Sequence, residues 1–418
     1  MKQELNKRKI INDPVYGFIS IPGELIFDII EHPYFQRLRR IKQLGLTNYV
    51  YPSANHTRFQ HALGCMHLMT QVIEVLRSKG QEITPEEAEG AMLAILLHDI
   101  GHGPFSHTLE QSIVKGLSHE QLSMLIVGEL NEQFDNKLAL ALSIFNDSYP
   151  KKFLHQLVAS QLDMDRLDYL TRDSFFTGVA EGVINADRII KMLTVRDDEL
   201  LVEAKGIYSI EKFIVSRRLM YWQVYYHKTV MATEYMLINI LRRAKYLATK
   251  GENLFSTTAL KPFLQNNISP EDFVNNRIWL YHFTALDDYD VFASIKAWMD
   301  HKDPILAVLC RRMIDRELYR VELRNEPFLP AYIGDITEAI LNEYKISESD
   351  LGYFLSADTV ANNAYNPRQD KIRLLFKDGK IMDISEASDQ LNISVLATTV
   401  SKHVLCYPKD LNTGKTRD

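Results

Sequence analysis

The sequence predicts a mainly α-helical protein: a helical core with small β-hairpin elements and a small mixed α/β C-terminal domain. Three observations carry that expectation. Apolar residues recur at three- and four-residue spacing through most of the chain up to residue 248, hairpin signals are few and short, and the composition is ordinary for a globular chain. At 418 residues, 46% of them hydrophobic, the chain can bury a large core.

The elements follow in order. Residues 10–21, IINDPVYGFISI, set β-branched and aromatic residues around Asn12-Asp13-Pro14 and Gly17, which predicts a short strand and turn within an N-terminal segment 1–22. Amphipathic helices are predicted near 24–42, 57–79, 86–98, 119–133, 151–173 and 208–248, with Thr57 or Asn55 capping the second. Residues 193–206 turn back at Asp197-Asp198, and residues 372–385 place Asp378-Gly379 between two apolar runs, so both are read as hairpins. A helical core over 23–335 and a small mixed domain over 336–418 are expected.

The remaining totals exclude several function classes. No apolar run approaches the roughly 18 residues that span a bilayer, and the opening MKQELNKRKI lacks the apolar segment of a signal peptide, so a cytoplasmic protein without a membrane partner is expected. Cys65, Cys310 and Cys406 lie far apart and suggest neither a disulfide framework nor a thiolate zinc site. A net charge of -6 argues against nucleic acid as a partner, although Lys7-Arg8-Lys9 and Arg37-Leu38-Arg39-Arg40 are local basic clusters.

The stretch ILLHDIGHGPFSH, residues 95–107, crowds ionisable groups behind an aliphatic run. His98 and Asp99 end an apolar helix that Gly101 and Pro104 do not allow to continue. Neighbouring side chains on a helix diverge by about 100°, so both serve a single ion only at a helix end or in a cleft. Buried without partners they are costly, whereas a divalent cation satisfies carboxylate and imidazole together; a His-Asp pair satisfied within the core is the alternative. Two further segments favour the cation. Arg58 and His61 share one face of their helix, and Asp165, Tyr169 and Asp173 form a stripe with Arg166 beside it. His61, His98, Asp99 and Asp165 make a two-His, two-Asp set suited to Mn, Fe, Zn, Ni or Mg rather than to copper. Arg217, Tyr221 and Tyr225 align on another helix, where an aromatic core stripe with a snorkelling arginine is the competing interpretation.

The order H…HD…D resembles the HD superfamily of metal-dependent phosphohydrolases. The blocks FQRLR, IKQLG, HTRFQH, HDIGHGPFSH and DRLDY, from residue 35 to residue 169, resemble the deoxynucleoside triphosphate triphosphohydrolases within it, with no N-terminal SAM domain expected here. The resemblance implies water attack on the α-phosphorus of a dNTP, releasing deoxynucleoside and inorganic triphosphate. One transition metal (Mn, Fe, Zn or Ni) on His61, His98, Asp99 and Asp165 would polarise the phosphate, and Mg would accompany the substrate triphosphate. His107 is the implied general acid, with His102 and His119 near the α-phosphate and Glu110 where the family carries an aspartate. Arg58, Arg166 and Arg217 would hold the triphosphate with Tyr169 and Tyr221; Gln43 and Asp173 would bond the sugar 3′ hydroxyl. Tyr225 would crowd the 2′ position and Leu44 would pack on sugar or base. Lys9, Asn12, Glu31, Arg37 and Arg39 fall where relatives bind a nucleotide effector, with Glu31 replacing an aspartate, and a homo-oligomer (dimer or tetramer) is implied. The same ligands would also serve an HD phosphodiesterase or nucleotidase, or a non-catalytic nucleotide sensor.

Overall fold

The computed structural model describes residues 9–105, 108, 112, 116–367, 370–388 and 398–411; His107 and Glu110 lie outside the described residues. β1 (Ile10–Asp13) and β2 (Gly17–Ser20) pair antiparallel, and Gly17 takes the left-handed conformation that closes the turn.

The expected helix over 24–42 is three pieces: Glu24–Glu31, Pro33–Gln36 and a 3-10 turn at Arg37–Arg40. His32 is extended and Pro33 restarts the helix, because proline at the first helical position has no amide to satisfy. Thr57 is the N-cap of helix Arg58–Ser78, completed by a capping box in which the Gln60 side chain accepts the Thr57 amide at 2.8 Å. Thr84 caps helix Pro85–Leu97 in the same way with Glu87, and from Gly90 to Leu97 every residue of that helix is buried. The two helices pack together and form the centre of the core.

The predicted 151–173 helix is two, Lys152–Val158 and Met164–Thr177. Asp163 terminates the gap and caps the second, accepting the amides of Arg166 at 2.7 Å and Ser160 at 2.9 Å. The 208–248 segment is likewise interrupted: helix Ile207–Met220 runs into a π-helical turn at Tyr221–Tyr225, and Lys228–Thr249 restarts after the His227 cap.

Both predicted hairpins form. β3 (Leu193–Arg196) and β4 (Glu199–Glu203) meet at Asp197 and Asp198, both with positive φ, as a two-residue primed turn requires. β5 (Arg320–Arg324) and β6 (Ser356–Asn362) flank β9 (Val400–Tyr407) in an antiparallel sheet. β7 (Arg373–Leu375) pairs with β8 (Ile381–Asp383) around left-handed Gly379, and with β4 in parallel, giving the order β3-β4-β7-β8. Each of these two sheets therefore joins strands from before and after residue 336. Among the described residues no helix is long and apolar enough to cross a membrane.

Candidate metal centre and adjoining cleft

The first turn of Arg58–Ser78, the C-terminal end of Pro85–Leu97 and the first turn of Met164–Thr177 converge. His61 Nε2 lies 3.1 Å from Asp165 Oδ1 and 3.7 Å from Asp99 Oδ2; His98 Nε2 lies 3.3 Å from Asp99 Oδ1 and 3.5 Å from Asp165 Oδ1. The four expected ligands are thus brought together. Both histidines have their outer nitrogen committed: His98 Nδ1 donates to the Ile95 carbonyl at 2.6 Å and His61 Nδ1 to Asp168 at 2.7 Å. That fixes the tautomer and turns both Nε2 lone pairs inward. His98 Nε2 is buried with no hydrogen-bond partner among the described residues, although it faces two carboxylates. A divalent cation is the group that suits a lone pair so placed, and the residues fit one.

The carboxylates are poised for it. Burial works against their charge, but in the metal-free protein His61 and His98, whose protonated forms these carboxylates favour, hold Asp165 far below the ordinary carboxylate range, and His98 and Arg58 by charge and His102 by its hydrogen bond do the same for Asp99. Cys65, read from the sequence as one of three scattered cysteines with no metal role, brings its thiol within 4.8 Å of donors on His61, His98 and Asp165. Its Sγ stands 3.6 Å from both ring nitrogens of His61, beside the ring rather than in line with Nε2, and burial pushes the thiol up. Asp99, which touches both histidines, is the better fourth ligand.

Behind His61 runs a buried chain that sequence reasoning missed. Asp168 also binds Arg172 (2.9 and 3.0 Å), and Arg172 reaches Asp13 of β1 at 2.7 Å. A Cβ on Gly64 would lie 1.9 Å from Asp168 and 2.3 Å from Arg172, so this glycine makes the space for the network. Gly101 has a similar reason: a Cβ there would meet the backbone of the His119 helix at 2.2 Å. That close approach stacks His102 on His119 at 3.9 Å and holds His102 Nε2 3.3 Å from Asp99.

A cleft of about 370 Å3 opens beside the centre, lined by Gln43, Leu44, Arg58, Phe105, Tyr221 and Tyr225, among others. Arg58 also contacts Asp99. Arg166 contacts its helix cap Asp163 and Arg217 reaches the Ala364 carbonyl at 3.2 Å, yet the Nε of each is buried with no partner among the described residues. Tyr169 lies among Arg166, Arg217 and Tyr221, its ring 6.3 Å from that of Tyr225. Asp173 is held on both oxygens, by His56 Nε2 at 2.7 Å and the Tyr225 hydroxyl at 2.8 Å. His56, stacked on Phe176, is a second residue the sequence did not single out. Gln43 Oε1 is buried without a partner among the described residues.

Volume alone does not mark the chemistry, because a larger cavity of about 970 Å3 lies on the far side of Phe105. The residues expected to hold an effector lie on several elements. Lys9 sits over the Phe27 ring and Arg39 over Phe59, while Asn12 and Glu31 are exposed. Arg37 is not presented to a ligand: fully buried, it donates to the carbonyls of Leu286, Ile100 and His102.

Residues 58–173, bounded by Arg58 and Asp173 of this site, match the HD domain family, and residues 184–257 match the HD associated region. YwfO, an uncharacterised protein of Bacillus subtilis, is 32% identical over 98% of this chain and 94% of its own length. The deoxynucleoside triphosphate triphosphohydrolase SAMHD1 homolog of Dictyostelium discoideum is 32% identical over 56% of this chain and 49% of its own length, so the chain spans about half of that relative. The chain belongs to the HD-domain, dNTPase-like family. The crystal structure of a phosphohydrolase from Bacteroides thetaiotaomicron matches this HD protein with a TM-score of 0.93 and 53% identity, over 96% of this chain and 100% of the other. Family and site together make this HD protein a metal-dependent phosphohydrolase.

Proposed function

We propose that the protein hydrolyses deoxynucleoside triphosphates to deoxynucleoside and inorganic triphosphate. The observation that carries this reading is the pair of buried guanidinium Nε donors, on Arg166 and Arg217, that have no partner among the described residues beside the His/Asp centre. A buried donor without a partner is costly, and a polyanionic tail that fills both offsets that cost with charge-assisted bonds. A monophosphate or cyclic phosphodiester would not need so many cations.

A divalent ion on His61, His98, Asp99 and Asp165 supplies Lewis acidity at the α-phosphate. The other roles belong to the chain. Arg58, already bonded to Asp99, links the metal ligands to the phosphates, and Arg166, Arg217, Tyr169 and Tyr221 orient the β- and γ-phosphates. Gln43 donates its amide NH2 to the sugar 3′ hydroxyl oxygen and Asp173 accepts the hydroxyl proton, and the Tyr225 ring, fixed by its bond to Asp173, excludes a 2′ hydroxyl. The leaving 5′ oxygen takes its proton from a histidine, for which His107 is our choice. Burial and Arg58 push His102 down to about 3, so it stays neutral and serves as a hydrogen-bonding group rather than a proton store.

The test is incubation of the purified protein with each dNTP, NTP and dNMP in the presence of Mn or Mg, with separation of products. Release of intact triphosphate from dNTPs is expected. Stepwise orthophosphate, pyrophosphate, or turnover of monophosphates alone would replace this reading with that of a nucleotidase or phosphodiesterase.

A further inference from the structure

His56 stands in the loop before the Thr57 cap, and both its main chain and its ring are committed. Its carbonyl accepts the Gln43 amide at 3.0 Å and the Ile41 carbonyl accepts the Arg58 amide at 2.9 Å, so residues 56–58 run antiparallel to residues 41–43. The ring is buried and reaches the other way, with Nε2 2.7 Å from Asp173 Oδ1 on helix Met164–Thr177. One residue therefore bonds both Gln43 and Asp173, which are remote from each other in the chain.

The ring has little freedom. Phe176, one turn beyond Asp173 on the same helix, stacks on it with centroids 4.6 Å apart and planes 16° apart, which fixes the ring plane, while the bond to Asp173 fixes its edge. A carboxylate only accepts, so the shared hydrogen lies on Nε2. Nδ1 is buried with no partner among the described residues, and no second bond competes for the ring. Asp173 is held in turn. Each of its oxygens receives one donor, His56 on Oδ1 and the Tyr225 hydroxyl on Oδ2 at 2.8 Å, and each keeps a lone pair for one more. Gln43 and Tyr225 line the cleft of about 370 Å3, and His56 does not.

We infer that His56 is a positioning residue for recognition of the substrate's 3′ hydroxyl: its carbonyl sets Gln43 and its imidazole sets Asp173, the donor and the acceptor that the proposed function assigns to that hydroxyl. The inference rests on that reading. His56 touches no substrate and acts through those two groups. Every residue type at position 56 keeps the carbonyl, so a side-chain substitution releases Asp173 alone, leaving its carboxylate on the single bond from Tyr225. The 3′ hydroxyl then meets an acceptor that is no longer aimed, whereas a substrate without that hydroxyl loses nothing by the change. The signature lies in discrimination between the two substrates, which loss of packing alone would not move.

The experiment measures kcat/KM for a dNTP and for the 2′,3′-dideoxy analogue of the same base in wild type, His56→Ala and His56→Gln, with bound metal assayed in each. Wild type is expected to favour the dNTP at least about a hundredfold, because the analogue leaves buried polar groups unpaired. His56→Ala is expected to cut that preference at least about tenfold, the effect of one hydrogen bond to a charged group, with bound metal unchanged. His56→Gln, whose amide nitrogen stands close to where Nε2 does, is expected to restore the preference to within about threefold of wild type. If His56→Ala does not fold, His56→Asn, whose amide stops short of Asp173, takes its place with the same expected result. An unchanged preference, even with both rates lowered together, overturns the inference and leaves His56 a packing residue; so does a lost preference that His56→Gln does not restore. A wild type that hydrolyses both substrates equally removes the 3′ contact and the role of His56 with it, while dNTP hydrolysis stands. A wild type inactive on every dNTP refutes the proposed function and the inference together.

Discussion

Replacing Asp168 by asparagine tests whether the buried chain behind the metal centre serves the metal or only the fold. Asp168 is fully buried, accepts from His61 Nδ1 at 2.7 Å, and takes two bonds from Arg172 at 2.9 and 3.0 Å. Asparagine has nearly the same volume, but its amide must turn an NH2 group toward donors, so one of these partners loses its acceptor. Loss of an outer partner on a ligating histidine weakens metal binding by about 10–100-fold, or roughly 1.4–2.7 kcal/mol. Arg172 keeps Asp13 at 2.7 Å, so the stability cost should sit near the low end of the roughly 3–5 kcal/mol seen when a buried pair is broken. The two effects separate experimentally: a chelator competition titration reads the metal, and urea unfolding of the metal-free protein reads the fold. A variant that loses stability yet binds metal within twofold of wild type would show that Asp168 serves Arg172 alone, and the orienting role assigned to it would be wrong.

Four further outcomes are expected. Gly64→Ala should destabilise by about 1–3 kcal/mol in unfolding experiments, since its methyl group would collide with Asp168 and Arg172; wild-type stability would mean the network shifts freely. Arg166→Ala and Arg217→Ala should each lower kcat/KM for dNTPs by about 10–100-fold, from the roughly 1.5–3 kcal/mol carried by a charge-assisted bond, and equal losses on a dNMP would refute triphosphate binding. Tyr225→Ala should raise the ratio of NTP to dNTP turnover at least about tenfold, and an unchanged ratio would remove Tyr225 as the sugar gate. The last concerns pH. Burial lifts Asp288 to about 6, with the amides of Lys42 and Phe105 and the Lys42 charge opposing the rise and Asp287 adding to it. The folded state then holds a proton between about pH 4 and 6 that the unfolded chain has lost, so this group's penalty is absent at pH 4 and full above pH 7, on the order of 2–3 kcal/mol. Asp288→Asn should therefore gain stability relative to wild type at pH 8, keep about half of that gain at pH 5 and lose most of it by pH 4; thermal melts giving the same difference at pH 8 and pH 4 would contradict the assignment.

What the sequence made legible was whatever is enforced locally. Asp197-Asp198 and Gly379 had to take positive φ, so both hairpins could be read from two residues each, and the helix start was legible in its two candidate caps, Thr57 and Asn55, of which Thr57 is the one used. Interruptions inside apolar periodicity were not legible. The π-helical turn at Tyr221–Tyr225 continues the apolar pattern on either side, and the break before Met164 depends on Asp163, one acidic residue among several. The pairing of β4 with β7 joins strands remote in the chain, and no local pattern names a distant partner.

The same division runs through the site. Histidines and aspartates behind an aliphatic run announce a buried charge cluster, but which charge faces the ion and which supports from behind depends on packing. Asp165 and Asp168 lie one turn apart on the same helix, and the first is 3.1 Å from His61 Nε2 while the second is 2.7 Å from Nδ1. The residue that separates their roles is Gly64 on the facing helix, whose missing side chain lets Asp168 and Arg172 close in behind the ring. Arg37 shows the converse. As a member of a basic cluster it reads as a ligand for phosphate, yet the 3-10 turn directs it inward while Arg39 and Arg40 stay exposed, and three backbone carbonyls take its donors. Desolvation lowers it to about 9, and Asp287 and Asp288 oppose that loss of charge. A buried cation between the metal loop and the cleft wall, its donors taken by three carbonyls and its charge offset chiefly by Asp287, is therefore a structural tie and not a ligand for phosphate.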